Sequence, residues 1–337
     1  MNEDVLRFAI PSDGELHTST LEFLSGCGLV VERPNRRQYT ATSASIPSVQ
    51  VLLQRASDIP HNIAEGSADL GIVGHDRFSE ETGSSESAVI AMADLGYGQA
   101  QLVTAVPSSW IDVNDMVDLA DLDSEFRADN RVLRIATKYP RLVSKYLYEK
   151  GLRYFSLVHA SGALEAAPVI GYADVIVDIS SSGTTLRENH LKPLSDGIVF
   201  SSAACLVANG TRLEGDSAHS SVLRATLNFM MDNMEGYLLA KSVFVVDADL
   251  YVNNGDFQKS EAAKVLQRFG TLNFSEISSQ RQSSGLRLTI SVQRRELPEV
   301  VSAMRTLGAT AINVVEPKYL FTNSSTAYDA LMSKIRG

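Results

Sequence analysis

The chain has 337 residues, 44% of them hydrophobic and 21% charged, the proportions of a globular protein with two or three domains. A formal net charge of -10 argues against nonspecific nucleic-acid binding, and no apolar run is long enough to span a bilayer. Only Cys27 and Cys205 occur, which excludes a disulfide scaffold, and the acidic Glu3-Asp4 start does not read as a targeting segment, so the expected compartment is the cytosol or an organelle interior.

The first two thirds alternate strand-like and helix-like segments, a pattern that predicts parallel sheets with crossover helices. Residues 6–10 read as a strand, followed by the turn Pro11-Ser12-Asp13-Gly14 and a short helix over 18–25. After a strand at 49–53, Ser57-Asp58-Ile59-Pro60 opens a helix that runs to Gly66, and 68–73 is a buried strand. Asp58 either caps that helix or serves a ligand, and Asp69 and Asp76, which flank the strand, either satisfy backbone donors or do the same. Residues 108–130 read as an acidic, solvated insertion. A second set of strands at 132–136, 154–158 and 174–179 alternates with helices at 140–150 and 163–170. The apolar run 198–208 then returns the chain to the first domain. From Ser220, Leu223, Leu227, Met230, Met231, Met234 and Leu238 share one face of a long helix, read as core packing. A strand at 242–246, a helix at 256–268, strands at 271–277 and 286–292, a helix at 296–307 and a strand at 310–315 give βαββαβ, a ferredoxin-like order. The expected divisions are 1–105 with 194–222, then 106–193, then 223–337.

The most informative segment is Asp178-Ile179-Ser180-Ser181-Ser182-Gly183-Thr184-Thr185-Leu186-Arg187. It follows an apolar strand and opens a helix, whose unpartnered N–H groups bind a phosphate monoester while the hydroxyls add donors. Asp174 and Asp178 bracket the strand end, where carboxylates accept bonds from a ribose diol. A phosphate cup beside a diol acceptor suits a phosphoribosyl group, and simple helix capping by the same hydroxyls is the structural alternative. Two such lobes around a cleft would place ligands beyond the carboxyl ends of their strands. The six histidines show no metal-ligand spacing.

Five ordered segments extend this reading: Arg55-Ala56-Ser57-Asp58-Ile59-Pro60, Asp69-Leu70-Gly71-Ile72-Val73-Gly74-His75-Asp76, Arg134-Ile135-Ala136-Thr137-Lys138-Tyr139-Pro140, Gly162-Ala163-Leu164-Glu165-Ala166-Ala167-Pro168, and the cradle itself. Together they resemble the ATP phosphoribosyltransferases of histidine biosynthesis, in the long form with a C-terminal regulatory domain. The resemblance implies an α/β fold of two periplasmic-binding-protein-like lobes around a cleft, plus the ferredoxin-like domain. It implies transfer of phosphoribosyl from phosphoribosyl pyrophosphate to N1 of ATP with Mg²⁺, in a homo-oligomer, a hexamer, inhibited by histidine, with no nucleic-acid or membrane partner. On this footing Ser180, Ser181, Ser182, Gly183, Thr184, Thr185 and Thr137 serve phosphoribosyl pyrophosphate. Glu165, Asp174, Asp178 and Lys138 are the catalytic set, with Glu165 also a Mg²⁺ ligand. Ser12, Asp13, Gly14, Arg55, Asp58, Asp69, Gly74 and Asp76 serve ATP, and Asp247 and Asp249 serve histidine.

The sequence departs from the family where Lys-Gly-Arg becomes Asp13-Gly14-Glu15 and Cys-Arg becomes Ala100-Gln101. A unit charge about 4 Å from a phosphate oxygen contributes about 4 kcal/mol at an effective dielectric of 20, so a sign reversal turns attraction into repulsion. A normal enzyme of this family would need compensation, for example from Arg7, Arg36 or Arg37 or from a metal on the new carboxylates, and the sequence shows no sign of it. A catalytically weakened regulatory paralogue is the second reading, and a solute-binding protein of the same two-lobed shape the third.

Overall fold

The computed structural model describes residues 5–35, 37–83, 87–159, 164–180, 183–215, 217–250, 264, 266–269, 272–278 and 284–336. Most of the helix expected at 256–268, together with Ser181, Ser182 and Arg36, lies outside them. The chain divides into two compact units, residues 1–227 with 330–337 and residues 228–329. Among the described residues no helix is long and apolar enough to cross a membrane.

The larger unit holds two sheets. The first contains β1 (Leu6–Pro11), β2 (Val31–Glu32), β3 (Thr40–Ser43), β4 (Val49–Gln54), β5 (Leu70–Gly74) and β6 (Ala88–Met92), and the second contains β7 (Ala100–Pro107), β8 (Leu133–Thr137), β9 (Phe155–His159), β10 (Val175–Ser180) and β11 (Leu191–Ser202). Strand β12 (Ala204–Asn209) then returns to the first sheet, giving the orders β2-β3-β4-β1-β5-β12-β6 and β11-β7-β10-β8-β9. Each sheet contains a parallel run, β4-β1-β5 and β10-β8-β9, with antiparallel strands on both sides of the first and on one side of the second, which the expectation of parallel sheets leaves out. The second sheet takes in residues 100–107 and 191–202 and so exceeds the expected 106–193, because β7 and β11 pair with each other and β7 with β10.

Helices α1 (Gly14–Gly26), α2 (Ile59–Ala64) and α3 (His75–Thr82) belong to the first lobe. The stretch expected to be a solvated insertion is instead α4 (Met116–Ala128), which starts on a reciprocal cap between Asp115 and Asp118 and buries Met116, Leu119 and Phe126 in the second lobe's core. Its acidic residues mask an apolar stripe at helical spacing. Helix α5 (Pro140–Glu149) follows β8, as expected. The helix expected at 163–170 is only a 3-10 turn, Leu164–Ala166, in the described part, since Pro168 lacks an N–H and disfavours helix at Ala167. Helix α6 (Thr184–Glu188) opens after the cradle, α7 (Gly210–Glu214) follows β12, and α8 (Ala218–Ser242) buries Leu223, Leu227, Met230, Met231 and Met234.

Both lobes carry the same polar staple at the N-terminal ends of their central strands. In the first, the Asp69 N–H donates to the Arg7 carbonyl at 2.9 Å, while the Arg7 N–H and guanidinium return bonds to the Asp69 carboxylate and the guanidinium also reaches the Gly66 carbonyl at 2.7 Å. In the second, Asp174 donates to the Arg134 carbonyl at 2.8 Å, and Arg134 binds the Asp174 carboxylate and the Gly171 carbonyl at 2.8 Å in the same pattern. The sequence shows the pair as Leu6-Arg7 with Gly66-Ser67-Ala68-Asp69, and Leu133-Arg134 with Gly171-Tyr172-Ala173-Asp174.

The smaller unit contains β13 (Val243–Leu250), β14 (Leu272–Ser278), β15 (Ser284–Gln293) and β16 (Ala311–Val315) in the antiparallel order β14-β15-β13-β16. This is the ferredoxin-like strand order. Its core joins Val246, Ala248, Leu288, Ile290, Val300 and Met304, the last two from the helix Leu297–Thr306.

Candidate active site

Strands β8 and β10 are parallel neighbours, so the residues that follow them, Thr137-Lys138-Tyr139 and Ser180 onward, emerge side by side at their carboxyl ends. Lys138 Nζ lies 3.9 Å from Asp178 Oδ2, and both side chains are largely covered. Burial is the first cause that raises the Asp178 pKa above the usual carboxylate range, partly offset by the Ile179 N–H and by Lys138, and Glu165 adds to the rise through like-charge repulsion. Glu165, Asp178 and Lys138 thus form one electrostatic cluster. Thr137 is buried, its hydroxyl accepting the Tyr139 N–H at 3.0 Å, so it shapes the turn that presents Lys138.

At the cradle, the Gly183 N–H donates to the Ser180 hydroxyl at 3.0 Å, and Gly183 takes φ 68°, a left-handed conformation that suits glycine, to start α6 at Thr184. Arg187 donates to the Thr184 hydroxyl at 3.2 Å, which sets a cation beside the loop. That residue was legible, because its spacing of three from Thr184 places both on one face of a helix. Gln101, paired in register with Ser180, stands beneath the cradle.

In the first lobe, Ser12, Asp13, Arg55 and Asp58 line one cavity of about 860 Å³ together with Arg33, Arg37, Tyr39, Gln54 and Asn62. Gly14 opens α1 there, and Asp13 holds the N-cap position without a side-chain cap bond. Asp58 likewise makes no side-chain cap and accepts instead from the Ser57 hydroxyl at 2.8 Å. Arg33 and Arg37 reach the cavity through the β2–β3 hairpin, and nothing in the local sequence around them announces that register.

Six assignments change. Asp69 and Asp174 belong to the staples, at the strand ends opposite the cavity and the cradle; four residues of strand, about 13 Å, separate Asp174 from Asp178. Burial acts to raise the Asp174 pKa, but the Arg134 bonds hold it below the usual carboxylate value. Asp76 is buried, its two carboxylate oxygens accepting the Tyr139 hydroxyl and the Ser202 hydroxyl, each at 2.6 Å, so it ties the lobes together rather than facing ATP. Gly74 is needed for that turn, as a Cβ there would lie 2.5 Å from Asp76 Oδ1. Asp249 is spanned by Arg287 at 2.7 and 3.0 Å, which lowers its pKa and occupies the carboxylate expected to meet histidine. Asp247 accepts the Thr289 hydroxyl at 2.5 Å. Arg7 is held by Asp69 at the far end of β1 and cannot offset Asp13, whereas Arg37 lines the cavity beside it.

Mg²⁺ typically takes one or two carboxylates together with water and substrate phosphates, and Glu165, whose charge bears on Asp178, offers one such carboxylate. Among the described residues no group of three or more ligating side chains would hold a metal by itself, so the acidic Asp13 and Glu15 build no cage of their own.

Residues 55–233 match the HisG family of ATP phosphoribosyltransferases. An ATP phosphoribosyltransferase of Rhodopseudomonas palustris is 32% identical over 97% of this chain and 98% of its own length, and one of Mesorhizobium japonicum is 44% identical over 64% of this chain and 94% of its own. Among solved structures, the ATP phosphoribosyl transferase (HisG:HisZ) complex from Thermotoga maritima superposes with a TM-score of 0.50 at 24% identity, covering 68% of this chain and 98% of that one, a likeness of fold. With a family match across more than half its length and a relative 32% identical over 97% of it, this chain belongs to the ATP phosphoribosyltransferase family.

Proposed function

We propose that the chain transfers the phosphoribosyl group of phosphoribosyl pyrophosphate to N1 of ATP, releasing pyrophosphate, as the first step of histidine biosynthesis, with Mg²⁺, as a homo-hexamer and under histidine inhibition. The observation that carries this reading is the pairing of two different sites in one unit: a hydroxyl cradle beside the Lys138–Asp178 pair in one lobe, and an arginine-lined cavity in the other.

N1 of adenine has a free lone pair at neutral pH, so the reaction needs orientation more than a strong base. In this reading Thr184, Thr185 and the α6 N–H groups hold the 5'-phosphate, and Asp178 accepts from a ribose hydroxyl. As the anomeric carbon gains positive charge and the leaving group negative charge, Asp178 faces the first and Lys138 the second. Mg²⁺, when bound by Glu165 and substrate oxygens, supplies further neutralisation of the pyrophosphate. Arg33, Arg37 and Arg55 offer cationic donors to the ATP phosphates next to Asp13. In the smaller unit Asp247 remains the carboxylate for a histidine amino or imidazolium group.

Initial rates of pyrophosphate release with ATP, phosphoribosyl pyrophosphate and Mg²⁺, with and without histidine, test the reading. Turnover that histidine suppresses is the expected result. A folded chain that binds phosphoribosyl pyrophosphate without turnover would instead favour the regulatory paralogue, which Asp13 at the cavity wall supports. Independently, Thr184→Ala with Thr185→Ala should weaken phosphoribosyl pyrophosphate about tenfold or more while ATP affinity holds, because two hydroxyl donors to a charged group are lost. Equal weakening of both ligands in a calorimetric titration would remove the 5'-phosphate from this loop.

A further inference from the structure

Helix α3 brings a cation across from the first lobe that none of the five motif segments includes. Its first turn is fixed to the Thr137–Tyr139 loop by the buried bond of Asp76 to Tyr139 and to the end of β11 by that to Ser202, and further along α3 the Glu80 carboxylate receives the Arg141 and Leu142 N–H groups of α5 at 2.8 and 2.9 Å. Arg77 follows Asp76 directly. Its guanidinium lies 4.7 Å from the centre of the Tyr139 ring, and its nearest carboxylate, Glu81, stands 3.9 Å away, beyond hydrogen-bond length. The side chain is 28% accessible. Arg77 also acts on Asp178 in the same direction as Lys138, favouring its charged form, so the two cations bear on one carboxylate from opposite lobes.

Resting on the transferase reading above, we infer that Arg77 is a second cation of the leaving-group site, binding the pyrophosphate of phosphoribosyl pyrophosphate from the first lobe while Lys138 binds it from the second. The stacked guanidinium is pre-oriented by the Tyr139 ring and keeps N–H groups for a polyanion. Asp13 and Glu15 leave the turn after β1 acidic, and Arg77 places positive charge on the same lobe, held by a buried interlobe bond of the adjacent Asp76.

Arg77→Met keeps a flexible side chain on the Tyr139 ring and removes the charge. Inorganic pyrophosphate with Mg²⁺, titrated calorimetrically against the full-length protein, is expected to bind Arg77→Met about tenfold or more weakly than the wild type, with thermal midpoint unchanged. KM for phosphoribosyl pyrophosphate should rise and KM for ATP hold. Arg77→Lys is expected to stay within about threefold of the wild type, since a cation remains. Unchanged pyrophosphate affinity in a folded Arg77→Met would make Arg77 a packing residue and overturn the inference, as would an Arg77→Lys that falls as far as the methionine variant. A wild-type chain that binds pyrophosphate through Arg77 but transfers nothing would retain this site and refute the transferase reading. A wild type with no pyrophosphate affinity refutes the site.

Discussion

Asp69→Ala is expected to destabilise the larger unit by about 3 kcal/mol, the low end for breaking a buried ion pair, because the two arginines left behind reach solvent in part. Asp69 has no exposed side-chain surface and is contacted by Arg7, by Arg212 and, at 3.9 Å, by His219. Removing it strands the Arg7 N–H as well as the guanidinium groups of Arg7 and Arg212. For a unit of this size the loss corresponds to roughly 6–12 °C in thermal midpoint. The sibling staple is the internal control. Asp174 has 13% side-chain exposure and one partner that is 41% exposed, so Asp174→Ala should cost about 1.5 kcal/mol. Thermal unfolding of both variants checks the order; equal losses would mean that the extra contacts of Arg212 and His219 contribute nothing. Neither substitution lies at the cradle, so the folded fraction should retain its KM for phosphoribosyl pyrophosphate.

Asp178→Asn should produce the opposite combination, with turnover reduced by about 10²–10³-fold, as for loss of one electrostatic stabiliser of a transition state, and stability raised. The sign follows from the raised pKa. A carboxylate whose folded pKa lies above its unfolded value contributes stability that is fully present below the unfolded value, near pH 4, and lost as pH rises through the folded one. At neutral pH the wild type therefore carries a buried charge next to Glu165, and the amide does not. Urea midpoints at pH 4 and pH 7 measure this: the variant should exceed the wild type at pH 7, with the gap shrinking towards pH 4. A variant less stable at both pH values would show that Lys138 and the Ile179 N–H outweigh burial. Stability sacrificed at one carboxylate is what an active-site role for Asp178 requires.

The two results share a cause that the sequence displays without explaining. Asp69 and Asp178 are both acidic residues at the ends of apolar strands, and linear spacing treats Asp69, Asp174 and Asp178 alike. The Leu-Arg and Gly-x-Ala-Asp repeats were present as signals for the staples, since the same words recur in each lobe, but they gain meaning only when β1 lies beside β5 and β8 beside β10.

While the antiparallel strands β2, β3, β6 and β7 escaped it, the sequence by itself determined the parallel strands of both sheets, the ferredoxin-like order of the C-terminal region and the family. These follow from short-range rules: apolar runs, glycine and proline punctuation, and hydroxyls before a helix. It also misread α4 as an insertion, since the acidic side chains that solvate one face conceal the stripe that packs on the other. The tertiary structure decided at which end of its sheet each carboxylate lies. Strand direction sends Asp178 to one end of β10 and Asp174 to the other, and parallel pairing brings Lys138 to Asp178 across 40 residues of chain. The antiparallel hairpin carries Arg33 and Arg37 to Asp13, and the Asp76–Tyr139 bond sets Arg77 over the second lobe. Charge compensation is a property of proximity in space, because Coulomb energy depends on separation and burial, and neither is written in the order of the residues.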